Sequence, residues 1–250
     1  MNALSDYIPR SVNTGSWLTA YTLNELKARI SDQRIVLPIC SLGTSFEELA
    51  CLGEFVLPPL YHEALDAKLK HEIISRIQRC FPYYEEAREA SRCSAVVDVV
   101  EMPRARHVPP LQSRILGFSV DTAVEQHGPH LPLATDTIQS YLALGRLAEE
   151  VDGFFVGPPV EYGHLTWGLP FGMSIDITPA LLTRYVTGLA NAVQAWLQPE
   201  AMYVVIKHVE AHSFNGIVGD VRNYYNVDAP TMLARMLEVA RADLKKLAGV

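Results

Sequence analysis

The sequence predicts an α/β protein in which a mainly parallel sheet is covered by helices on both faces. Short runs rich in Val, Ile and Phe alternate with longer segments that carry apolar residues at helical spacing, the pattern of successive βαβ units. Prolines end several of the short runs, as in Val56–Pro59 and Val156–Pro159. The 250 residues, 49% of them hydrophobic, suffice for a single domain, 1–250, with a sizeable core.

In the first part of the chain, residues 1–113, we expect two helices. Tyr21–Ile30 is amphipathic, with Thr22 as a possible N-cap and Glu25 in the capping-box position. Ala64–Arg79 carries Leu or Ile at every fourth position. Residues 81–113 are rich in proline and charge and are predicted to form a helix plus an extended connection. The predicted strands of this part are short and apolar: Ile35–Cys40, Glu54–Pro59 and Ala95–Val100.

The second part, residues 114–250, has a more regular pattern. The polar, proline-rich segment Asp121–Thr135 is predicted to be a loop. The predicted strands are Ile115–Val120, Gly153–Gly157 and Ala201–His208, and the predicted helices are Thr137–Val151, Pro179–Leu197 and Thr231–Ala248.

A short internal similarity links the two parts. The run VLPPLYHEAL at Val56–Leu65 resembles VGPPVEYGHL at Val156–Leu165, and each run follows a predicted strand. A distant duplication is one hypothesis for this similarity.

Composition argues against several classes of function. The net charge of −7 and a pI near 5.6, without a visible basic cluster, argue against nucleic acid as a partner. The apolar runs are too short to span a bilayer, and residues 1–20 do not resemble a secretion signal. Four scattered cysteines are interpreted as small apolar residues in a reducing compartment, so we expect a cytoplasmic protein.

Two clusters of polar residues follow predicted strands. The first, VEQHGPHLPLATDT at Val124–Thr137, brings Glu125, His127, His130 and Asp136 within twelve residues. Active-site groups of α/β proteins lie at the carboxyl ends of strands. A set of carboxylate and imidazole ligands suits Zn²⁺, Mn²⁺ or Fe²⁺, and one carboxylate could bridge two ions.

The second cluster, KHVEAHSFN at Lys207–Asn215, ends the strand predicted at Ala201–His208. Because strand side chains alternate, His208, Glu210 and His212 would project from one face. Such groups are costly to bury unless they are paired or bind a metal.

The segment EQHGPHLPLATD, Glu125–Asp136, resembles the signature of the creatininase family over twelve positions without a gap. Downstream, GPPVEYGH at Gly157–His164 and LPFGMSIDI at Leu169–Ile177 resemble later family segments, so the similarity covers roughly residues 114–220. It implies a three-layer α/β/α sandwich with a metal centre of one or two divalent ions, Zn or Mn with Fe as a further possibility. It also implies a homo-oligomer, commonly a hexamer, and a small-molecule substrate.

By this resemblance, Glu125, His127 and Asp136 are metal ligands. From the later strand we favour His208 and Glu210 as ligands, with His212 as the alternative ligand or an acid/base group. His130 and His212 are candidates to protonate a departing nitrogen, and Glu210 is a further candidate catalytic residue. The residues expected to line the substrate pocket are Tyr162, His164, Trp167 and Phe171.

The predicted function is therefore metal-dependent hydrolysis of a small amide, cyclic amide or related carbonyl compound. Alternatives are hydrolysis of a carbocyclic ketone or a peptide, a non-catalytic metal- or small-molecule-binding protein, and a structural subunit of a hetero-oligomer. The chain departs from the family pattern in two respects. About 110 residues precede the region of similarity, and a late H-A-G-E segment carried by many members is absent. Neither GxSxG nor a nucleotide-binding glycine motif occurs.

Overall fold

A computed structural model gives the structure of the protein. It describes the following residues: 17–30, 33–81, 96–104, 115–120, 124–129, 131–157, 159–165, 172–206, and the helical positions 234, 237, 238, 241, 242 and 245.

The described strands form two sheets in which every pairing is parallel. In the first sheet β1 is central, with β2 and β3 on one side and β4 on the other. In the second sheet the order is β6-β5-β7. The strands are β1 Arg34–Cys40, β2 Phe55–Val56, β3 Leu60–Tyr61, β4 Val96–Glu101, β5 Ile115–Val120, β6 Phe154–Val156 and β7 Ala201–Ile206.

One described helix precedes the first strand and four connect strands, and several of their ends follow local sequence signals. The Thr22 hydroxyl accepts a hydrogen bond from the amide of Glu25, and the Glu25 carboxylate accepts one from the amide of Thr22. The capping box predicted for the first helix is therefore confirmed. The helices are α1 Leu23–Arg29, α2 Phe46–Ala50, α3 Ala67–Cys80, α4 Thr135–Glu150 and α5 Pro179–Trp196.

Most predicted elements are confirmed to within a few residues. Helix α2 was not predicted because its five residues are too few to display helical periodicity, although Ser45 and Glu48 form a second capping box at its start. The helix predicted within residues 81–113 lies outside the described residues. Of the helix predicted at Thr231–Ala248, the six described positions are helical.

The second sheet is covered on both faces, as the predicted α/β class requires. Leu116, Phe118 and Val120 of β5 face the larger core cluster, which also contains apolar residues of β1 and α5. On the other face, Phe154 of β6 packs with Tyr141 of α4 and with other members of a smaller cluster. Because successive side chains of a strand point to opposite faces, this sheet contacts an apolar layer on each face.

The two sheets repeat the same arrangement with matching register. The pairing of β1 with β4 runs from Arg34–Val96 to Ile39–Glu101, and that of β5 with β7 from Ile115–Ala201 to Val120–Ile206, six pairs in each case. We call residues 34–101 the first unit and residues 115–206 the second unit. Each unit carries its first strand in the middle of its sheet.

The similar Pro-Pro runs occupy matching places in these units. After β2, the amide of Leu57 donates to the carbonyl of Val36, and after β6 the amide of Gly157 donates to that of Gly117, both at 2.8 Å. These two positions correspond in the sequence similarity noted above. The geometry therefore supports the hypothesis of a duplication.

Helix α5 of the second unit lies close against the first unit at Gly188. A Cβ atom added there would lie 2.6 Å from the carbonyl oxygen of Ala64, which is a backbone atom and has little freedom to move. Glycine at this position permits the close approach of α5 to the segment before α3.

We expect Gly188→Ala to destabilise the protein by about 1–3 kcal/mol, because overpacking against backbone outweighs the gain of about 1 kcal/mol that alanine usually brings to a helix. Thr187→Ala, at the neighbouring exposed position, is the control and should change stability by no more than about 0.5 kcal/mol. Urea denaturation followed by circular dichroism measures both. A Gly188→Ala variant as stable as the wild type would contradict the close contact.

Candidate metal centre

The loop that follows β5 is held in place by hydrogen bonds to other segments. The amide of Ile175 donates to the carbonyl of Val124 at 2.9 Å, and the amide of Gln126 donates to the Ser174 hydroxyl at 3.1 Å. The loop also turns back on itself, with the amide of Glu125 3.5 Å from the carbonyl of Leu133. This closure brings Glu125 next to the start of α4.

The N-terminal segment, residues 17–22, also holds this loop. Leu133 donates its amide to the carbonyl of Tyr21 at 3.1 Å, and Ala134 donates to Thr19 at 2.9 Å. Thr22 and Pro132 form an isolated antiparallel bridge. Residues from the part of the chain that precedes the first unit thus fix the backbone just before Asp136.

Three of the sequence-predicted ligands come together at this point. Glu125, His127 and Asp136 each offer one ligand atom, and these atoms all lie within 4.8 Å of one another. Glu125 is buried, while His127 and Asp136 are half-buried. Asp136 lies in the first turn of α4, where the amide dipoles of the helix favour a negative charge.

The hydrogen bonding of His127 determines which ring nitrogen faces Asp136. Nδ1 lies 2.9 Å from the backbone carbonyl oxygen of Glu125, and because a carbonyl only accepts, Nδ1 must carry the hydrogen. In the neutral ring Nε2 then presents a lone pair, and it lies 3.3 Å from Oδ2 of Asp136. Two acceptors face each other at this distance, which is favourable only with a proton or a cation between them.

The distance also fits a metal ion. Two ligands at about 2.0–2.1 Å from a tetrahedral Zn²⁺ lie about 3.3–3.4 Å apart. Orientation of a ligating histidine through Nδ1–H and a carbonyl oxygen is common at such sites. Without an ion, burial by itself would lower the pKa of His127, but the hydrogen bond and charge of Asp136, helped by Glu125, raise it overall. A proton and a metal ion therefore compete for the same place.

Six other residues that the sequence predicts for the site lie outside the described residues: His130, Trp167, Phe171, His208, Glu210 and His212. Their predicted roles stay predictions. Tyr162 is buried, and its hydroxyl donates to the carbonyl of Pro58 at 2.6 Å. That bond ties the second unit to the first. The substrate-binding role of Tyr162 stays a prediction as well.

His164 is held by two residues that the sequence analysis did not single out. Its Nδ1 lies 3.0 Å from Oδ1 of Asp176, and Arg76 of α3 forms an ion pair with the other oxygen of the same carboxylate. Arg76 and Asp176 are 100 positions apart in the chain, so no spacing pattern could have linked them.

Glu161 is a buried carboxyl group in the segment after β6, and the sequence analysis missed it too. Desolvation by burial raises the pKa of Glu161 to about 8. The carboxyl group is therefore largely protonated at neutral pH. Glu161 lies in the run GPPVEYGH, which resembles a family segment, and this position was the only signal that the sequence offered. The run does not reveal that the side chain is buried.

The fold and this centre define a class: an α/β protein with parallel sheets in which a central strand is followed by carboxylate and imidazole groups that could hold a divalent metal ion. Residues 122–242 match the family model described as Creatininase, creatinine amidohydrolase. The matched part of the chain is thus a creatininase-family domain, and this family is metal-dependent. Comparisons with curated proteins and with solved structures find no significant match. In the described part of the chain, no helix combines the length and apolarity needed to cross a membrane.

We expect Asp136→Asn to lower the affinity for Zn²⁺ or Mn²⁺ by more than about 100-fold, because the amide keeps the shape of the side chain but removes its charge. Asp152→Asn, which changes an exposed acid in the turn before β6, is the matched control and should bind metal as the wild type does. Elemental analysis after dialysis, with titration calorimetry, measures both. Equal binding by Asp136→Asn and the wild type would rule out this ligand set.

We expect Glu161→Gln to change how stability depends on pH. The pKa of Glu161 is raised in the folded state, so ionisation in the unfolded chain destabilises the wild type progressively between about pH 4.5 and 8. Relative to the wild type, the free energy of unfolding of the variant should increase by up to roughly 1.4 kcal/mol per pH unit across this window. Below the window, the difference between the two proteins should not change with pH. Urea denaturation of metal-free protein at pH 5, 6.5 and 8 measures the difference. A constant difference would show that Glu161 ionises normally.

Proposed function

We propose that the chain is a metal-dependent hydrolase that cleaves the C–N bond of a small amide or cyclic amide with an activated water molecule. The observation that carries this proposal is the 3.3 Å separation of His127 Nε2 and Asp136 Oδ2, with Glu125 beside them. The match of residues 122–242 to the creatininase family model agrees with it.

Glu125, His127 and Asp136 would hold the ion, for which Zn²⁺ or Mn²⁺ suits the ligand set and Fe²⁺ is a further candidate. His208 and Glu210, or alternatively His212, would complete the coordination. When bound, a divalent ion lowers the pKa of a water molecule towards neutrality and polarises the substrate carbonyl. An imidazole of the chain would protonate the departing nitrogen, with His130 and His212 as the candidates suggested by the sequence.

The partial burial of the centre supports the proposed chemistry. The ligand loop lies among backbone segments of both parts of the chain rather than on an open surface, since residues 17–22 and Ser174–Ile175 both bond to it. Glu125 is only 1% exposed, so its carboxylate lies in a region from which water is largely excluded. Electrostatic interactions with a reacting carbonyl are stronger in such a region.

The test is hydrolysis by protein of defined metal content. Protein freed of metal by a chelator and then reloaded with Zn²⁺ or Mn²⁺ should hydrolyse at least one member of a panel of cyclic and linear amides that includes creatinine. The metal-free protein should be inactive. Asp136→Asn should lose activity even with added metal, whereas Asp152→Asn should keep it.

Two outcomes would redirect the proposal. Metal-dependent turnover of a carbocyclic ketone or a peptide, but of no amide, would assign a different bond to the same centre. Tight metal binding without hydrolysis of any compound would favour a non-catalytic binding protein. A protein that takes up no metal would overturn the proposal altogether.

A further inference from the structure

We propose that Arg76, a residue of the first unit, positions His164 through Asp176 so that His164 can move a proton during hydrolysis. The proposal rests on the proposed function and assigns a residue outside the family match at 122–242 to the reaction. The carboxylate of Asp176 joins the side chains of Arg76 and His164.

Asp176 is buried, with 5% of its side chain exposed, and both of its carboxylate oxygens are bound. Oδ1 accepts the backbone amide of Leu165 at 3.0 Å and faces Nδ1 of His164 at 3.0 Å. Oδ2 is paired with the guanidinium of Arg76, and Nε of Arg76 also donates to the backbone carbonyl of Asp176 at 2.9 Å. Arg76 thus forms hydrogen bonds with both the side chain and the backbone of Asp176, and these bonds restrict rotation of the carboxylate.

This arrangement fixes the orientation of the imidazole. An ionised carboxylate only accepts hydrogen bonds, so Nδ1 of His164 must carry the hydrogen that it donates to Asp176. Nε2 then lies on the opposite edge of the ring, and 23% of the side chain is exposed. A carboxylate that holds a histidine in one tautomer is the arrangement by which imidazole acts as a proton carrier in many hydrolases.

His164 is connected to the metal centre through one intervening segment. In the segment 172–177, Ile175 donates its amide to the carbonyl of Val124 in the ligand-bearing loop at 2.9 Å. Two residues later, Ile177 donates to the carbonyl of Gly163 at 2.8 Å. Gly163 and Asp176 also form a parallel bridge. The residue before His164 thus bonds to the same short segment that bonds to the loop carrying Glu125, His127 and Asp136.

The chemical step is a proton shuttle. As the attacking water forms its C–O bond, Nε2 of His164 accepts the proton that the water releases. His164 then donates this proton to the nitrogen as the C–N bond breaks, and the ring returns to its starting state. Nδ1–H stays bonded to Asp176 throughout, so Asp176 and Arg76 orient the ring without exchanging protons.

A second arginine provides a matched control. Arg184 of α5 also links the two units, with its guanidinium 2.8 Å from Glu72 and 3.4 Å from Asp66. Its side chain is 41% exposed, and none of its described ion pairs involves Asp176. Loss of Arg184 removes a link between the units but leaves the support of His164 intact.

The first measurement is the tautomer of His164 by nitrogen-15 NMR of histidine-labelled protein, with the resonances assigned through His164→Gln. In the wild type we expect the hydrogen on Nδ1. Arg76→Met should produce a mixture of tautomers, Arg76→Lys should restore the wild-type tautomer in part, and Arg184→Met should leave it unchanged. A wild-type tautomer in both Arg76 variants would overturn the positioning role, and Arg76→Lys keeps this test available if Arg76→Met fails to fold.

The second measurement is the kinetics of the metal-loaded protein on the best amide of the panel. His164→Gln should lower kcat by about 100-fold or more, and Arg76→Met by about 10-fold with little change in KM. Arg184→Met should stay within about twofold. A normal kcat in His164→Gln would assign the proton transfer to another group, such as His130 or His212. If no amide is turned over, the proposed function fails, while the tautomer still decides whether Arg76 orients the ring.

Discussion

The backbone hydrogen bonds of the loop between β5 and α4 are the constraint on which the candidate metal centre depends. In its described residues this loop contains Gly128 and two prolines and neither a helix nor a strand, and several of its amides bond to other segments. Carbonyls of Thr19 and Tyr21 accept two of its amides, and the segment at Ser174–Ile175 bonds to it on the other side. The positions of Glu125, His127 and Asp136 therefore depend on parts of the chain that contain no ligand.

The two units explain why so much of the chain precedes the ligands. Both have the same strand order and register, but the connection from β1 to α2 is only the five residues 41–45 and contains neither histidine nor acid. The first unit thus has the scaffold without the ligand loop. It contacts the second unit through Arg76, through Pro58 and at the close approach of Gly188 to Ala64. A unit without a ligand loop of its own can still contribute by supporting its neighbour.

Sequence reasoning succeeded where the signal was local. The capping box at Thr22, the span of β5 and the cluster of Glu125, His127 and Asp136 each lie within a few consecutive turns or positions, so periodicity and composition display them. It failed where the determinant was a contact between distant segments. The ion pair of Arg76 with Asp176 and the burial of Glu161 depend on how the two units pack, and no window of sequence contains both partners.

The residues of the candidate metal centre are held close together, and this proximity has an energetic cost. The carbonyl of Glu125 holds His127 in the tautomer that turns its lone pair towards Asp136, and α4 holds the carboxylate opposite. Two acceptors 3.3 Å apart repel each other unless a proton or a cation lies between them. A loop with so little structure of its own would relieve that repulsion by moving apart. It stays in place because residues 17–22 and the segment at Ser174–Ile175 form hydrogen bonds with it. Residues that are not themselves candidate ligands therefore stabilise a geometry that the candidate ligands alone would not keep.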